Sequence, residues 1–298
     1  MASFSEYVSD RFLAVWPQFE STLKRTKSRA SYMYYVNGIC NFCRCDFLDI
    51  DNGNAQKYFF YLSHSEKRYS PKYLHSILSG CRSISEYIST HLELYELDSY
   101  ENPFSMIYLD SYSDQLNLTD VPTPCQIEKI LSVSKKKDLQ LYLVFSFAFY
   151  CGLTISEILS LHKGSIFIDE RAHAGVYLPS RSVDSRYVKI PDHLISYVEE
   201  FCSSIGERSF LFANAHGRPL QKRTLQSYVS SFMENLDVPL SYTLQQLRNA
   251  STVFMRVGGA TSSEVAIYTG VSERWMYRYD GVVDSLESAP CDRIAFSI

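Results

Sequence analysis

Long apolar runs are missing from this chain of 298 residues. The longest, Leu139 to Cys151, is interrupted by Gln140 and Ser146 and falls short of the roughly 18 residues a membrane span needs. It reads as a buried helix, and no membrane partner is expected. The opening MASFSEYVSDRF has no basic region followed by a continuous apolar segment, which excludes a secretory signal and sets the expected location as cytoplasmic. Glycine (12) and proline (10) are scarce and no segment is repetitive, so low-complexity disorder is excluded.

Paired metal-ligand motifs are also absent. Of the cysteines only Cys40, Cys43 and Cys45 cluster, and no second Cys or His pair follows at ligand spacing. Reduced thiols and no metal are expected. Excess positive charge is lacking too: 29 Lys and Arg face 33 Asp and Glu, a formal net charge of −4. Phosphate contacts usually demand basic surface, so the distribution matters more than the sum. Lys24, Arg25, Lys27 and Arg29 form one basic cluster, Lys135 to Lys137 a second, and Arg218, Lys222 and Arg223 a third. Each is a candidate phosphate-facing patch, and each also reads as a solvated face.

What is present is a hydrophobic content of 46%, enough for two ordered domains with a core each. In the first, residues 1–115, a short helix around Phe12 to Phe19 precedes helices predicted over Ser28 to Phe47, Asn54 to Leu62 and Ser70 to Leu94. Residues 116–123, ending in Val-Pro-Thr-Pro, read as a linker. The second domain, 124–298, starts with helices over Pro124 to Val133 and Asp138 to Tyr150. Three short β-branched runs follow, Ser165 to Ile168, Gly175 to Leu178 and Arg186 to Ile190, which predict a small antiparallel sheet. Helices over Ile195 to Cys202 and Leu220 to Leu236 complete the approach to Tyr242. The fold class is mainly α with this small sheet.

The stretch YTLQQLRNASTVFMRVGGATSSEVAIYTGVSERWMYRY, Tyr242 to Tyr279, organises the second domain. Its spacing predicts a helix from Leu244 to Val257 stopped by Gly258 and Gly259, then a helix opened by the capping-box pair Thr261 and Glu264 and ended by Gly270. A short aromatic piece, Ser272 to Tyr279, follows. Apolar spacing of this kind also describes ordinary core helices.

Leu-Arg within one helix, a Gly-rich break, Thr-Gly-Val-Ser and a Tyr about nine residues on together resemble the C-terminal half of the tyrosine recombinase, or phage integrase, family. Gly152-Leu153-Thr154-Ile155-Ser156-Glu157 is similar to that family's first motif, Gly-Leu-Arg-Ile-Ser-Glu. The helical first domain resembles the family's core-binding (SAM-like) domain by its basic lead, long helix and Asn-Pro-Phe exit. The resemblance implies a helical domain and a catalytic-type α/β domain around double-stranded DNA, and no cofactor. It implies cleavage by attack of a tyrosine hydroxyl on a phosphodiester held by two arginines, giving a 3′-phosphotyrosine. Paired guanidiniums suit the charge that gathers on the phosphate oxygens.

Carried over residue by residue, Arg248 takes the second arginine's place and Tyr279 the nucleophile's, with Tyr277 as its rival. Three positions depart from the pattern: Thr154 stands for the first arginine, and Gln245 and Val271 stand for two histidines. Thr154 also reads as a cap, with Glu157 completing the box. No lysine matches cleanly where the family keeps one; Arg181, Asp184, Ser185, Arg186 and Lys189 are the residues there. Arg181, Arg186, Arg274 and Arg278 are candidates to supply the missing guanidinium, and Arg181 and Arg186 are counted with the basic clusters as DNA-binding residues. The reading is a duplex DNA-binding protein, non-cleaving or catalytically impaired, acting as regulator or accessory factor of a phage or mobile element. The alternatives are an active recombinase using Tyr279 and a protein-interaction scaffold. The tail from Leu286, apolar at Ile294, Ala295, Phe296 and Ile298, is a candidate for self-association into a homo-oligomer.

Overall fold

The computed structural model describes residues 3–23, 26–65, 69–168, 174–178, 185–206, 209–214 and 216–287, the side chains of 26–28 excepted. The chain divides into two compact units, 1–113 and 114–298. The division places residues 114 and 115, expected at the end of the first domain, and the expected linker 116–123 with the second unit. The amide of Leu116 donates to the carbonyl of Arg278 at 2.8 Å, and Arg278 Nε donates to the carbonyl of Asp114 at 2.8 Å.

The first unit contains α1 (Asp10–Thr22), α2 (Thr26–Cys43), α3 (Asn52–His64) and α4 (Pro71–Thr90). Their starts are chemically marked: Ser9, Asp51 and Ser70 each accept a hydrogen bond from a backbone amide of the first turn, satisfying a donor the helix cannot. Pro71, at the first helical position of α4, loses no hydrogen bond there. The helix expected to reach Phe47 stops at Cys43, because Arg44 turns left-handed and Asp46 caps a separate 3-10 turn, Phe47–Asp49. Phe12, Ile39, Phe47, Ile77, Ile84, Ile88, Tyr95 and Phe104 fill the core. Arg82 holds the Asn-Pro-Phe exit through the carbonyls of Phe104 and Ile107.

The second unit runs α5 (Pro124–Lys137), α6 (Leu139–Phe149), α7 (Ile155–Ser160), β1 (Ile166–Ile168), β2 (Ala174–Leu178), β3 (Arg186–Ile190), α8 (Ile195–Ser204), α9 (Lys222–Glu234), α10 (Leu244–Val257), α11 (Ser262–Thr269) and α12 (Tyr277–Glu287). The strands pair antiparallel in the order β1-β2-β3, with Val176 opposite both Ile166 and Val188. Helix α6 is buried from Leu141 through Ala148, so it carries no polar face, and α5 and α10 pack on it. The aromatic piece predicted over 272–279 is instead a 3-10 turn, Glu273–Trp275, followed by α12. Tyr279 therefore lies in the first turn of a helix rather than at the end of a short segment.

Among the described residues no helix is long and apolar enough to cross a membrane, and no group of three His, Cys, Asp or Glu could hold a metal ion. Burial is the main reason the Cys43 thiol is pushed up to about 11, which disfavours the thiolate a metal would need.

Candidate functional site

Helix α10 buries Leu244, Leu247, Arg248 and Ser251, a spacing of i, i+3, i+4 and i+7 that puts an arginine where the pattern calls for a core residue. A guanidinium cannot shed its charge, so its burial requires acceptors. Arg248 Nε donates to the carbonyl of Gly152 at 2.7 Å and Nη2 to the carbonyl of Thr269 at 2.8 Å. Desolvation pulls its pKa below the usual guanidinium range, the Arg186 charge adds to this, and Glu157 and Tyr279 oppose it. Nη1 has no hydrogen bond among the described residues.

Backbone geometry delivers both acceptors. Gly152 adopts φ +59°, and a Cβ there would lie 2.9 Å from Thr269 Cγ2, so the turn before α7 can approach α11 only as glycine. Gly270 ends α11 at φ +69° with its amide on the Ala266 carbonyl, leaving the carbonyls of Tyr268 and Thr269 beyond the helical ladder.

Arg186, the first residue of β3, reaches the same place from the sheet. Its Nε donates to the carbonyl of Tyr268 at 3.2 Å and its Nη1 lies 2.8 Å from Glu157 Oε1. Nη2 is buried with no hydrogen-bond partner among the described residues. Strand and helix are tied at this point by Tyr268, whose hydroxyl donates to the carbonyl of Lys189 at 2.8 Å. Two guanidiniums thus dock on the consecutive carbonyls of Tyr268 and Thr269, at the negative end of the α11 dipole.

Glu157 is shared. One oxygen accepts from Arg186 and the other from the Thr154 amide at 2.7 Å, while Thr154 Oγ1 accepts from the Glu157 amide at 3.2 Å. Burial alone would raise the Glu157 pKa, but the Arg186 hydrogen bond and the Thr154 amide outweigh it and hold the carboxyl below its ordinary value. Thr154 itself is a complete capping box for α7.

Tyr279 is buried, and its hydroxyl makes a long hydrogen bond, 3.4 Å, to Asn249 Oδ1. That same oxygen accepts from Gln245 Nε2 at 3.0 Å, so Asn249 links the Gln245 position to the tyrosine. Arg256 to Asp280 (3.3 Å) and Arg278 to Asp114 hold the first turn of α12 in place. Tyr277 faces away, 45% exposed and stacked on Trp275. Val271 packs against the apolar core.

The other predicted residues do not join this cluster. Arg274 lies over the Trp275 ring, Arg278 is engaged with Asp114, and Lys189 pairs with Asp192 at 3.3 Å. Arg218, Lys222 and Arg223 are exposed at and before the start of α9, and Arg29 stands 4.0 Å from Glu20 in the first unit. Lys24, Arg25, Arg181 and the Lys27 side chain lie outside the described residues. No described histidine makes a hydrogen bond or ring contact with the cluster; in this unit His162 packs on Phe210 and His193 on Tyr150. Asn249 was not singled out in the sequence, though its i,i+4 relation to Gln245 on a helix marks a hydrogen-bonding pair.

Residues 121–270, half of the chain, match the model of the phage integrase family. The chain belongs to that family. A search of curated proteins by sequence gave no match. Among solved structures the fold is similar to XerH site-specific recombinase bound to its difH substrate, at a TM-score of 0.68 and 14% identity over 96% of this chain and 91% of that one. It is similar to the Tn1549 transposon integrase in complex with transposon right-end DNA, at 0.63 and 13% over 95% and 100%. A lambda integrase dimer bound to a core site matches at 0.64 and 13% over 95% and 77%. In this phage integrase fold, Arg248 and Arg186 face one carboxylate and two helix-terminal carbonyls.

Proposed function

We propose that this chain binds duplex DNA through its phage integrase fold and cleaves it poorly or not at all, serving a phage or mobile element as a regulator or accessory factor. The observation that carries this reading is the company of Tyr279. Its hydroxyl meets a neutral amide, Asn249, that can neither take the phenolic proton nor return it to a leaving oxygen. The positions where the family would supply histidines hold Gln245 and Val271, and Lys189 is engaged with Asp192. Among the described residues, anion-binding guanidiniums stand at Arg248 and Arg186 and no proton-transfer group meets the Tyr279 hydroxyl. Relatives of this fold solved on DNA support the duplex as the ligand.

Affinity then comes from Arg248 and Arg186 with Lys24, Arg25, Lys27, Arg29, Arg181, Arg218, Lys222 and Arg223, clustered charge offsetting the acidic sum. Self-association through the segment following the exposed Leu286 is part of the same reading. A nicked duplex library that traps covalent intermediates is the deciding experiment. Salt-sensitive binding without a protein–DNA adduct is expected. An adduct that disappears on Tyr279→Phe would establish the second reading, an active recombinase, which the proximity of Tyr279 to the Arg248 charge favours.

A further inference from the structure

We propose that Arg186 supplies the second guanidinium of a phosphodiester-binding pair with Arg248, delivered from strand β3 to the place left without an arginine by Thr154. The chemical class of ligand, a phosphodiester, rests on the DNA-binding reading. The pairing itself rests on geometry.

Arg186 and Arg248 hang from adjacent carbonyls, those of Tyr268 and Thr269. Each uses Nε for anchoring, to Tyr268 and Gly152 respectively. Each has a terminal nitrogen left over: among the described residues neither the buried Arg186 Nη2 nor Arg248 Nη1 has a hydrogen-bond partner. An unmade hydrogen bond on a buried charged donor is costly, and it is tolerated where a ligand completes it. Two guanidiniums and one carboxylate, Glu157, sum to one positive charge, the complement of a phosphodiester monoanion.

A helix-capping role alone would account for one guanidinium on the end of α11. It does not account for two, for a carboxylate positioning one of them, or for the spare donors. Gly270 is the matching feature on α11, since a Cβ there would collide with Arg186 Nη1. Thr154, by capping α7, holds one oxygen of Glu157 and leaves the other for Arg186.

The test is a titration of the full chain with inorganic phosphate, read by NMR at arginine Nε–H signals assigned by substitution. The Arg186 and Arg248 signals are expected to move together on one saturation curve. Arg186→Gln should weaken the Arg248 response by about tenfold or more. Arg186→Lys, which keeps the charge without the fork, should recover part of it. Should Arg186→Gln fold poorly with Glu157 left unpaired, Glu157→Gln/Arg186→Gln removes both charges and is read the same way. An Arg248 response unchanged in these variants, or no movement of either signal in the wild type, would overturn the proposal. Wild-type protein that shows joint movement yet binds no duplex at low salt would instead overturn the DNA reading and leave the arginine pair standing.

Discussion

Arg248 Nε and the carbonyl of Gly152 are joined by a 2.7 Å hydrogen bond across 96 residues of sequence. That bond fastens α10 to the turn before α7, and with the bond to Thr269 it makes a charged side chain part of the core of the second unit. Under the proposed reading, stability and ligand binding are coupled at this one residue.

Replacing Arg248 by alanine strands two buried carbonyls, and each unmade bond costs about 1–3 kcal/mol. Arg248→Ala should lower unfolding stability by about 2–4 kcal/mol in denaturant melts. Arg248→Lys should fall between, since an ammonium cannot span both acceptors. Equal midpoints for all three proteins would refute the anchoring role.

Gly270 and Gly206 allow a matched comparison. Both are left-handed, φ +69° and +62°, but only Gly270 has a neighbour, Arg186, in the space a Cβ would take. Alanine at either should cost about 1–2 kcal/mol for the backbone alone. Gly270→Ala should in addition weaken duplex affinity, measured by fluorescence anisotropy, while Gly206→Ala should leave it unchanged. Loss of affinity in both would show a global effect instead.

The carboxyl of Glu157 is held below its ordinary pKa, so its contribution to stability is fully present above the unfolded value of about 4.3 and is lost as pH falls through the lower folded value. Urea midpoints between neutral and acidic pH should drop less steeply for Glu157→Gln than for the wild type. Parallel curves would mean that the Arg186 pair contributes nothing measurable.

Tyr279→Phe removes a hydroxyl whose single hydrogen bond is 3.4 Å long. Bonds of that length are weak, so stability should change by less than about 1 kcal/mol. Duplex affinity should be unaltered. A large loss of affinity would place the hydroxyl on the ligand in the ground state.

Element periodicity was legible throughout: α10 spans Leu244–Val257 and β3 spans Arg186–Ile190, as spacing and β-branching predict. The capping boxes at Thr154 and Thr261 were readable because they are local, three residues wide. Helix ends set by long-range packing were not. The end of α2 at Cys43 depends on Arg44 turning left-handed, and α12 continues past Tyr279 because Asp114, Leu116 and Arg256 hold its first turn. In the site, Arg248 and Tyr279 were visible as single positions. The placement of Arg186 beside Arg248 was not, since it needs the Tyr268 hydroxyl to pin α11 on β3, 79 residues apart in sequence.

The capping box at Thr154 also ties together two positions far apart in sequence. Its hydroxyl starts α7 and its amide holds one oxygen of Glu157, while Arg186 holds the other. Placing an arginine at position 154 by a single substitution would remove the cap and bring a second cation to a carboxylate already in use. Positions 154 and 186 are in this sense entrenched together.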